Sequence, residues 1–311
     1  MPLISVVIAT YKRPEQLLRA LQSVLSQTHA ELDIIVVVER DDPASQAVAQ
    51  AHPDPRVRCI VNPVKAGPGP ARDAGVEQAR GSYIAFLDDD DEWRPHKLER
   101  QLALADDRTI VTAMTDVVTP AGIFARPVAP YDGSLPIDEW LFDRPSWLRS
   151  REPMLQTSSL FAPAGLFRVL RFGSVRHEEW ELIIRAVKQH GYRVATVPET
   201  LIVYYSGGSY PWRTSLQWAE SVRDLVSPTA LAGFCLNVAT QGLKQQRNRA
   251  FAHMLVAAFR LGRPAPRHLI AFFLMWILPD GPRERLRAAI RKAFRHPSPA
   301  APGRLSGAAP P

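Results

Sequence analysis

The chain has 311 residues, 46% hydrophobic and 22% charged, ordinary values for a globular protein that leave room for one large core or two small ones. The net charge of +7 is uneven, with much of the excess beyond residue 260, so the basicity describes an appendage rather than the core. Cys59 and Cys235 are the only cysteines, which excludes a disulfide framework or a CxxC metal site and fits a reducing compartment. Residues 3–9 are apolar but short, follow no basic region and read as a strand and not a signal, and no run reaches the roughly 18 uninterrupted apolar residues of a spanning helix.

Residues 3–9 are rich in β-branched side chains and predict a strand covered on both faces. Pro14 opens a helix in which Leu17, Leu18, Leu21, Val24 and Leu25 recur at helical spacing. Strands follow at 34–38 and 57–61, separated by a helix over 43–51. A Gly/Pro-rich loop at 65–70 leads into a helix over 71–79, and Gly81 closes the turn before a strand at 83–87. Four strands alternating with helices predict a right-handed, mostly parallel α/β sheet, with ligands beyond the strands' carboxyl ends. Tyr11, Arg13, Glu39 and an acidic run all follow strand ends and are expected to converge there.

Further on, the pattern predicts a helix over 95–104, strands at 109–118 and 155–161, and a helix over 177–189. Two short strands, 193–197 and 201–205, are expected to flank Pro198. Residues 119–150 read as irregular, with a short helix at Ile137–Phe142. From about residue 213 only helices are predicted, near 213–226, 228–243, 246–261, 265–278 and 283–295. Residues 297–311 are Pro, Ala, Gly and Ser with little else and read as disordered.

The acidic run is Asp88, Asp89, Asp90 and Asp91, directly after Tyr83-Ile84-Ala85-Phe86-Leu87. Carboxylates this close repel by several kcal/mol in a poorly polar medium. Gathering them at one strand end calls for a cation, and Mg²⁺ or Mn²⁺ carrying phosphates suits carboxylate oxygens. A solvated acidic turn is the alternative. Arg13 and Arg72 are candidate phosphate partners, Arg72 equally a structural partner for buried acids. Tyr11 is a candidate base platform or a lid over its helix, and Glu39 a candidate acceptor for a base or ribose. No Walker loop and no dinucleotide fingerprint occurs.

Ser5-Val6-Val7-Ile8-Ala9-Thr10-Tyr11 with Arg13-Pro14 resembles the opening of the family 2 glycosyltransferases, inverting nucleotide-sugar enzymes of the GT-A fold. Ala71-Arg72-Asp73-Ala74-Gly75 resembles their "ARNAG" helix, Phe86 to Asp91 their "FLDxDD" metal motif, and His177-Glu178-Glu179-Trp180 their "ED" motif. These segments stand in family order over residues 3–205. The resemblance implies that Thr10, Tyr11, Arg13, Glu39 and Arg72 line the nucleotide pocket, with Asp88 and Asp89 by the ribose and diphosphate. It implies Asp90, with Asp88, as ligands of Mn²⁺ or Mg²⁺, and Glu179 as general base. The family usually has Asp at the positions of Glu39 and Glu179, so Glu178 stays open as an alternative base. Trp180 is expected to raise the base's pKa by lowering local polarity.

The expected architecture is thus an α/β GT-A domain over 1–210, a Rossmann-like, mostly parallel sheet flanked by helices. A helical C-terminal extension over 211–296 and the tail 297–311 complete it. The expected activity is metal-dependent transfer of a sugar, with inversion, from a nucleoside-diphosphate-sugar donor to a glycan, lipid-linked or other hydroxyl acceptor in cell-envelope polysaccharide assembly. A sugar nucleotidyltransferase and a non-catalytic nucleotide-sugar-binding protein are the alternatives. Trp140 and Trp147 are candidates either for stacking on a sugar or for packing a long loop, and 204–212 is a segment expected to close over the donor. Residues 283–295 alternate Arg with apolar residues, pointing to peripheral contact with an anionic membrane from the cytoplasmic side. Nucleic acid is not expected as a partner, because no recognition module accompanies the charge.

Overall fold

The computed structural model describes residues 1–62, 67–119, 122–143, 153–173, 176–205, 212–238 and 249–277. Its N-terminal half alternates β1 (Ile4–Thr10), α1 (Pro14–Leu25), β2 (Leu32–Glu39), α2 (Pro43–Gln50), β3 (Val57–Asn62), α3 (Pro68–Glu77) and β4 (Tyr83–Asp88). Then come β5 (Glu92–Trp93), α4 (Lys97–Leu102), β6 (Thr109–Thr119), β7 (Gly122–Arg126) and α5 (Ile137–Phe142). A 3₁₀ turn (Thr157–Ser159) precedes β8 (Phe161–Pro163), α6 (Ala164–Val169), α7 (Glu178–His190) and β9 (Arg193–Tyr205). The C-terminal helices are α8 (Trp212–Ser221), α9 (Pro228–Gly233) with a π turn (Phe234–Val238), α10 (Arg249–Leu261) and α11 (Pro266–Ile277).

The strands form one sheet in the order β3-β2-β1-β4-β8-β6-β9-β5, with β7 paired to β6. The first four run parallel, as the alternation of strand and helix requires. The other half is mixed: β8 is antiparallel to β4 and β6, β9 is parallel to β6, and β5 is antiparallel to β9. Side chains alternate between two cores. Val7, Ile35, Val37 and Phe86 face α3, α5, α7 and the C-terminal helices, while Val6, Ile8, Ile34, Val36 and Leu87 face α1 and α4.

Three local expectations are corrected or decided. The apolar run at 155–161 is not a strand. Thr157, Ser158 and Ser159 interrupt it with buried hydroxyls, and only Phe161–Pro163 pairs. The strands around Pro198 are one, β9, with register shifts against β6 where Ala113 faces Val197 and Met114 faces Thr200. A bulge accommodates the missing proline N–H without ending the strand. Trp140 is 2% exposed and packs edge-on against Tyr131, so it is a core residue and no sugar platform. Trp147, most of the 204–212 segment, the basic residues 283–295 and the tail lie outside the described residues.

The C-terminal helices share the first core. Phe142 meets Trp180, Trp218 and Phe234 edge-on, with centroids 5.3–5.7 Å apart. Polar clasps join the same elements. Arg267 grips Asp143 at 2.6 and 3.0 Å while His268 Nε2 lies 2.6 Å from it. Asp138, fully buried, accepts from Lys188 at 2.9 Å and from the Ser227 N–H at 2.7 Å.

Candidate active site

Because β1 to β4 are parallel, their carboxyl ends at Thr10, Glu39, Asn62 and Asp88 lie along one sheet edge. The loop after β1 is braced there. The Thr10 hydroxyl donates to Asp89 at 2.8 Å, and Arg13 reaches Asp89 at 3.0 Å and Asp90 at 2.6 Å. Tyr11 donates its hydroxyl to Asp41 at 2.9 Å. Lys12 takes a left-handed conformation (φ 56°) that points its N–H at Asp42, the residue capping α2 through the Ser45 N–H. Glu39 is buried and accepts from the Asn62 amide at 3.4 Å.

Arg72 is the central cation. A Cβ on Gly75 would sit 2.4 Å from Val7 Cγ1, so glycine lets α3 lie directly on β1. That approach carries the buried Arg72 guanidinium between Asp88 and Glu178, 2.6 Å from each. The fork geometry of Arg suits such bridging. The end of β4 and the start of α7 are thereby tied into one crevice.

The four aspartates turn tightly, with the Asp91 N–H donating to the Asp88 carbonyl at 3.1 Å. Ser158 holds this turn from below: its hydroxyl donates to Asp91 at 2.6 Å and accepts from the Asp88 N–H at 3.0 Å. The indole of Trp93 fixes the Ser158 carbonyl at 2.9 Å. Burial, and then the charge of Asp88, push the Asp91 carboxyl well above the usual carboxylate range. Burial also raises Asp89, outweighing Thr10 and Arg13. Ser158 has no counterpart in the sequence reading. The signal was three hydroxyl residues inside an apolar run, a combination that needs buried partners.

The first turn of α7 carries Glu178, Glu179 and Glu181, placed where the helix dipole favours acids. Glu178 is engaged by Arg72, and Glu181 by Arg185 at 2.6 Å. Among the described residues Glu179 has no ion-pair partner. Burial, and then the adjacent Glu178, push its carboxyl up to about 8, with Arg72 pulling the other way. Trp180 is the next residue of α7. Its ring lies flat on His177, centroids 4.6 Å apart, and its N–H donates to the Leu155 carbonyl at 2.7 Å. His177 starts α7 in the left-handed region (φ 71°) and approaches Ser215 of α8 at 3.1 Å. Burial lowers its pKa to about 3, so it is a neutral structural ring.

Thr10 and Arg13 thus form one network with Asp89 and Asp90, and Arg72 a second with Asp88 and Glu178. The two meet along the backbone of the aspartate turn, with Glu179 adjoining the second on the same helical turn. Tyr11 and Glu39 sit in the neighbouring strand-end loops. Asp89 is 5% exposed and faces inward, whereas the Asp88 and Asp90 carboxylates remain 29% and 40% exposed. The chemistry of this donor set suits a hard divalent cation, since the accessible groups, Asp88 and Asp90, are carboxylates, each also paired to an arginine. Among the described residues no three His, Cys, Asp or Glu side chains form a ready-made cage. Mg²⁺-type sites commonly use one or two carboxylates together with substrate phosphates.

A sequence profile described as Glycosyl transferase family 2 matches residues 5–177. This chain belongs to glycosyl transferase family 2. The family 2 match ends just before Glu178 and Glu179. Among family 2 relatives, the succinoglycan biosynthesis protein ExoO of Rhizobium meliloti (strain 1021) is 41% identical over 105 residues, 34% of this chain and 30% of that protein. The amylovoran biosynthesis glycosyltransferase AmsB of Erwinia amylovora is 25% identical over 215 residues, 65% of this chain and 69% of AmsB. The UDP-Glc:alpha-D-GlcNAc-diphosphoundecaprenol beta-1,3-glucosyltransferase WfaP of Escherichia coli is 33% identical over 102 residues, 33% of this chain and 41% of WfaP. The chain thus matches less than half the length of ExoO and WfaP.

Solved structures share the fold. S. aureus TarS residues 1–349, in complex with UDP-GlcNAc, superposes with a TM-score of 0.56 at 16% identity, over 82% of this chain and 79% of that one. The mannosyltransferase PcManGT of Pyrobaculum calidifontis, in complex with GDP-Man and Mn²⁺, gives 0.57 at 15% identity, over 94% and 87%. The architecture is therefore of the GT-A type, an α/β sheet with flanking helices. No helix among the described residues is long and apolar enough to cross a membrane.

Proposed function

We propose that this family 2 glycosyltransferase moves a sugar, with inversion, from a nucleoside-diphosphate-sugar donor to a hydroxyl acceptor in surface-polysaccharide assembly. The observation that carries the reading is Arg72 bridging Asp88 and Glu178 at 2.6 Å each. It joins an acidic strand end suited to a metal-bound diphosphate to a helix start bearing a second, unpaired acid. Donor complexes of TarS and PcManGT support the donor class. The name of WfaP supports a lipid-diphosphate-linked acceptor. Those of ExoO and AmsB support the polysaccharide setting, and a location at the cytoplasmic side of the envelope belongs to the same proposal.

Asp88 and Asp90 would hold Mn²⁺ or Mg²⁺, which when bound neutralises charge on the departing diphosphate. Thr10, Tyr11, Arg13, Glu39 and Arg72 line the donor pocket. The bond from the sugar's anomeric carbon to the phosphate oxygen breaks, and its electron pair leaves with the diphosphate. The acceptor oxygen bonds to the same carbon from the opposite face, and its proton passes to the Glu179 carboxylate. Such base catalysis typically contributes about 10²–10⁴-fold. Glu178 keeps Arg72 in place and is not the base.

The test is a panel of nucleoside-diphosphate sugars with Mn²⁺ present and absent, read by thermal stabilisation and by nucleoside diphosphate release. A ligand well above its dissociation constant stabilises by a few kcal/mol. Stabilisation by one donor, with acceptor-dependent nucleoside diphosphate release, is the expected result. Pyrophosphate release from a nucleoside triphosphate would instead make the protein a nucleotidyltransferase. Donor binding without turnover on any acceptor would favour a non-catalytic binder.

A further inference from the structure

Helices α10 and α11 follow one another in the chain and each turns large apolar residues to solvent. On α10, Ala250, Met254, Ala257 and Ala258 are buried against the core, while Val256 and Phe259, one turn apart, are 63% and 60% exposed. On α11, Phe272 is buried while Ile270 and Phe273, again one turn apart, are 48% and 40% exposed. The two stripes belong to adjoining helices: Phe251 of α10 stacks on Phe272 at 4.8 Å and meets Phe273 at 6.0 Å. A surface helix normally turns polar residues outward, and single exposed apolar residues need no explanation. Four large ones on two adjoining helices do.

The charge around them is one-sided. Residues 225–311 contain thirteen Lys and Arg and only two acids, Asp280 and Glu284, whereas residues 1–224 contain twenty-five Lys and Arg and twenty-nine acids. No acid occurs between Asp224 and Asp280. Arg260, next to Phe259, is ion-paired with Glu220 and Arg267 of α11 with Asp143; Arg263 follows α10 in the chain, and the chain after α11 adds Arg283, Arg285, Arg287 and Arg291. An apolar stripe on a segment with a net cationic excess complements an anionic lipid surface. A helix of 12 residues such as α11 is about 18 Å long, far short of the roughly 30 Å hydrocarbon core. Among the described residues these helices therefore suit contact along a bilayer surface.

We infer that the α10–α11 face, through Val256, Phe259, Ile270 and Phe273, docks this enzyme on a membrane rich in anionic lipids. The docking face is tied to the candidate active site. Arg267 and His268 hold Asp143 at the end of α5, and Ser215 of α8 holds His177 at the head of the helix bearing Glu179. A lipid-borne acceptor would be met by a crevice held in a set orientation to the surface. Only this consequence rests on the transferase reading.

The experiment uses the full chain with vesicles of phosphatidylcholine alone or with phosphatidylglycerol added, scored by co-sedimentation at low and high salt. Binding is expected only with phosphatidylglycerol, and weaker at high salt. The double substitution Phe259→Asp, Phe273→Asp is expected to lower the apparent affinity at least about ten-fold, since each buried aromatic favours insertion. Circular dichroism and melting temperature confirm the variant's fold. Binding unchanged by this substitution but lost on replacing Arg283, Arg285 and Arg287 with Gln would place the contact in the terminal segment and overturn the inference. So would equal retention on a polyanion such as heparin, or absence of vesicle binding with the substitution turning a dimer into a monomer. Nucleoside diphosphate release on a soluble acceptor, measured in parallel, reports the transferase reading separately.

Discussion

Arg72 and Glu178, 106 residues apart in the chain, meet at 2.6 Å in a buried ion pair. The pair divides the two adjacent acids of α7 between two tasks. Glu178 ties α7 to Arg72, and Glu179, with no ion-pair partner among the described residues, is free for the role of base proposed above.

Breaking one side of a buried pair costs about 3–5 kcal/mol when the remaining charge is stranded. Arg72→Met strands both Asp88 and Glu178 and is expected to lie in that range. Glu178→Gln keeps a hydrogen-bond acceptor and leaves Arg72 paired to Asp88, so a loss on the order of 2 kcal/mol is expected. Urea denaturation of the two variants checks the order.

Glu179→Gln is expected to act in the opposite direction on stability. The folded carboxyl titrates at about 8 against about 4.3 unfolded, so the folded state binds the extra proton. Its contribution falls as pH rises through that window. The variant should melt with wild type near pH 4 and above it near pH 8, while turnover drops at least about 10²-fold. In the wild type, kcat/KM should rise with pH along an acid limb near the same value. Melting curves across pH and a pH–rate profile decide both points.

Ser158→Ala removes the hydroxyl that binds Asp91 and the Asp88 N–H. Leaving buried polar groups unpaired costs about 1–3 kcal/mol. Because the lost bonds shape the aspartate turn, donor KM and the Mn²⁺ concentration for half-activity should rise more than kcat falls. A loss of stability with those constants unchanged would make Ser158 a purely structural residue.

Asp143 joins α5 to α11, and hydrogen bonds and charge from His268 and Arg267 hold its carboxyl down at about 2 against its burial. A depressed carboxylate stabilises above its unfolded pKa of about 3.9 and loses that contribution as pH falls toward 2. Asp143→Asn is expected to cost about 2 kcal/mol at neutral pH, by the same linkage, and the difference should shrink below about pH 4. Denaturation at pH 7 and pH 3 tests this.

The sequence made the parallel half of the sheet legible because its strands are short apolar runs separated by capped or proline-initiated helices, a local signal. It also made legible the acidic strand end and the residues facing it, since each follows a strand. The pairings were not legible. Nothing near Arg72 indicates that Glu178 will be its partner, nor does the run around Ser158 reveal the aspartates above it. Trp140 stayed open between sugar stacking and packing because an aromatic in a stretch with little periodicity fits both, and the structure decides for packing. Its burial comes from Tyr131 and the core around α5. Pro198 read as a break because a proline cannot join a regular ladder, yet a register shift opposite Ala113 and Met114 absorbs it.

The most direct measurement is single-turnover sugar transfer by Glu179→Gln and Glu178→Gln, with donor binding followed by thermal shift on the same samples. Glu179→Gln should bind donor like wild type and fail to transfer, while Glu178→Gln should transfer measurably with a less stable fold. Full transfer by Glu179→Gln, or its loss only in Glu178→Gln, would contradict the assignment of the base and of the Arg72 pair.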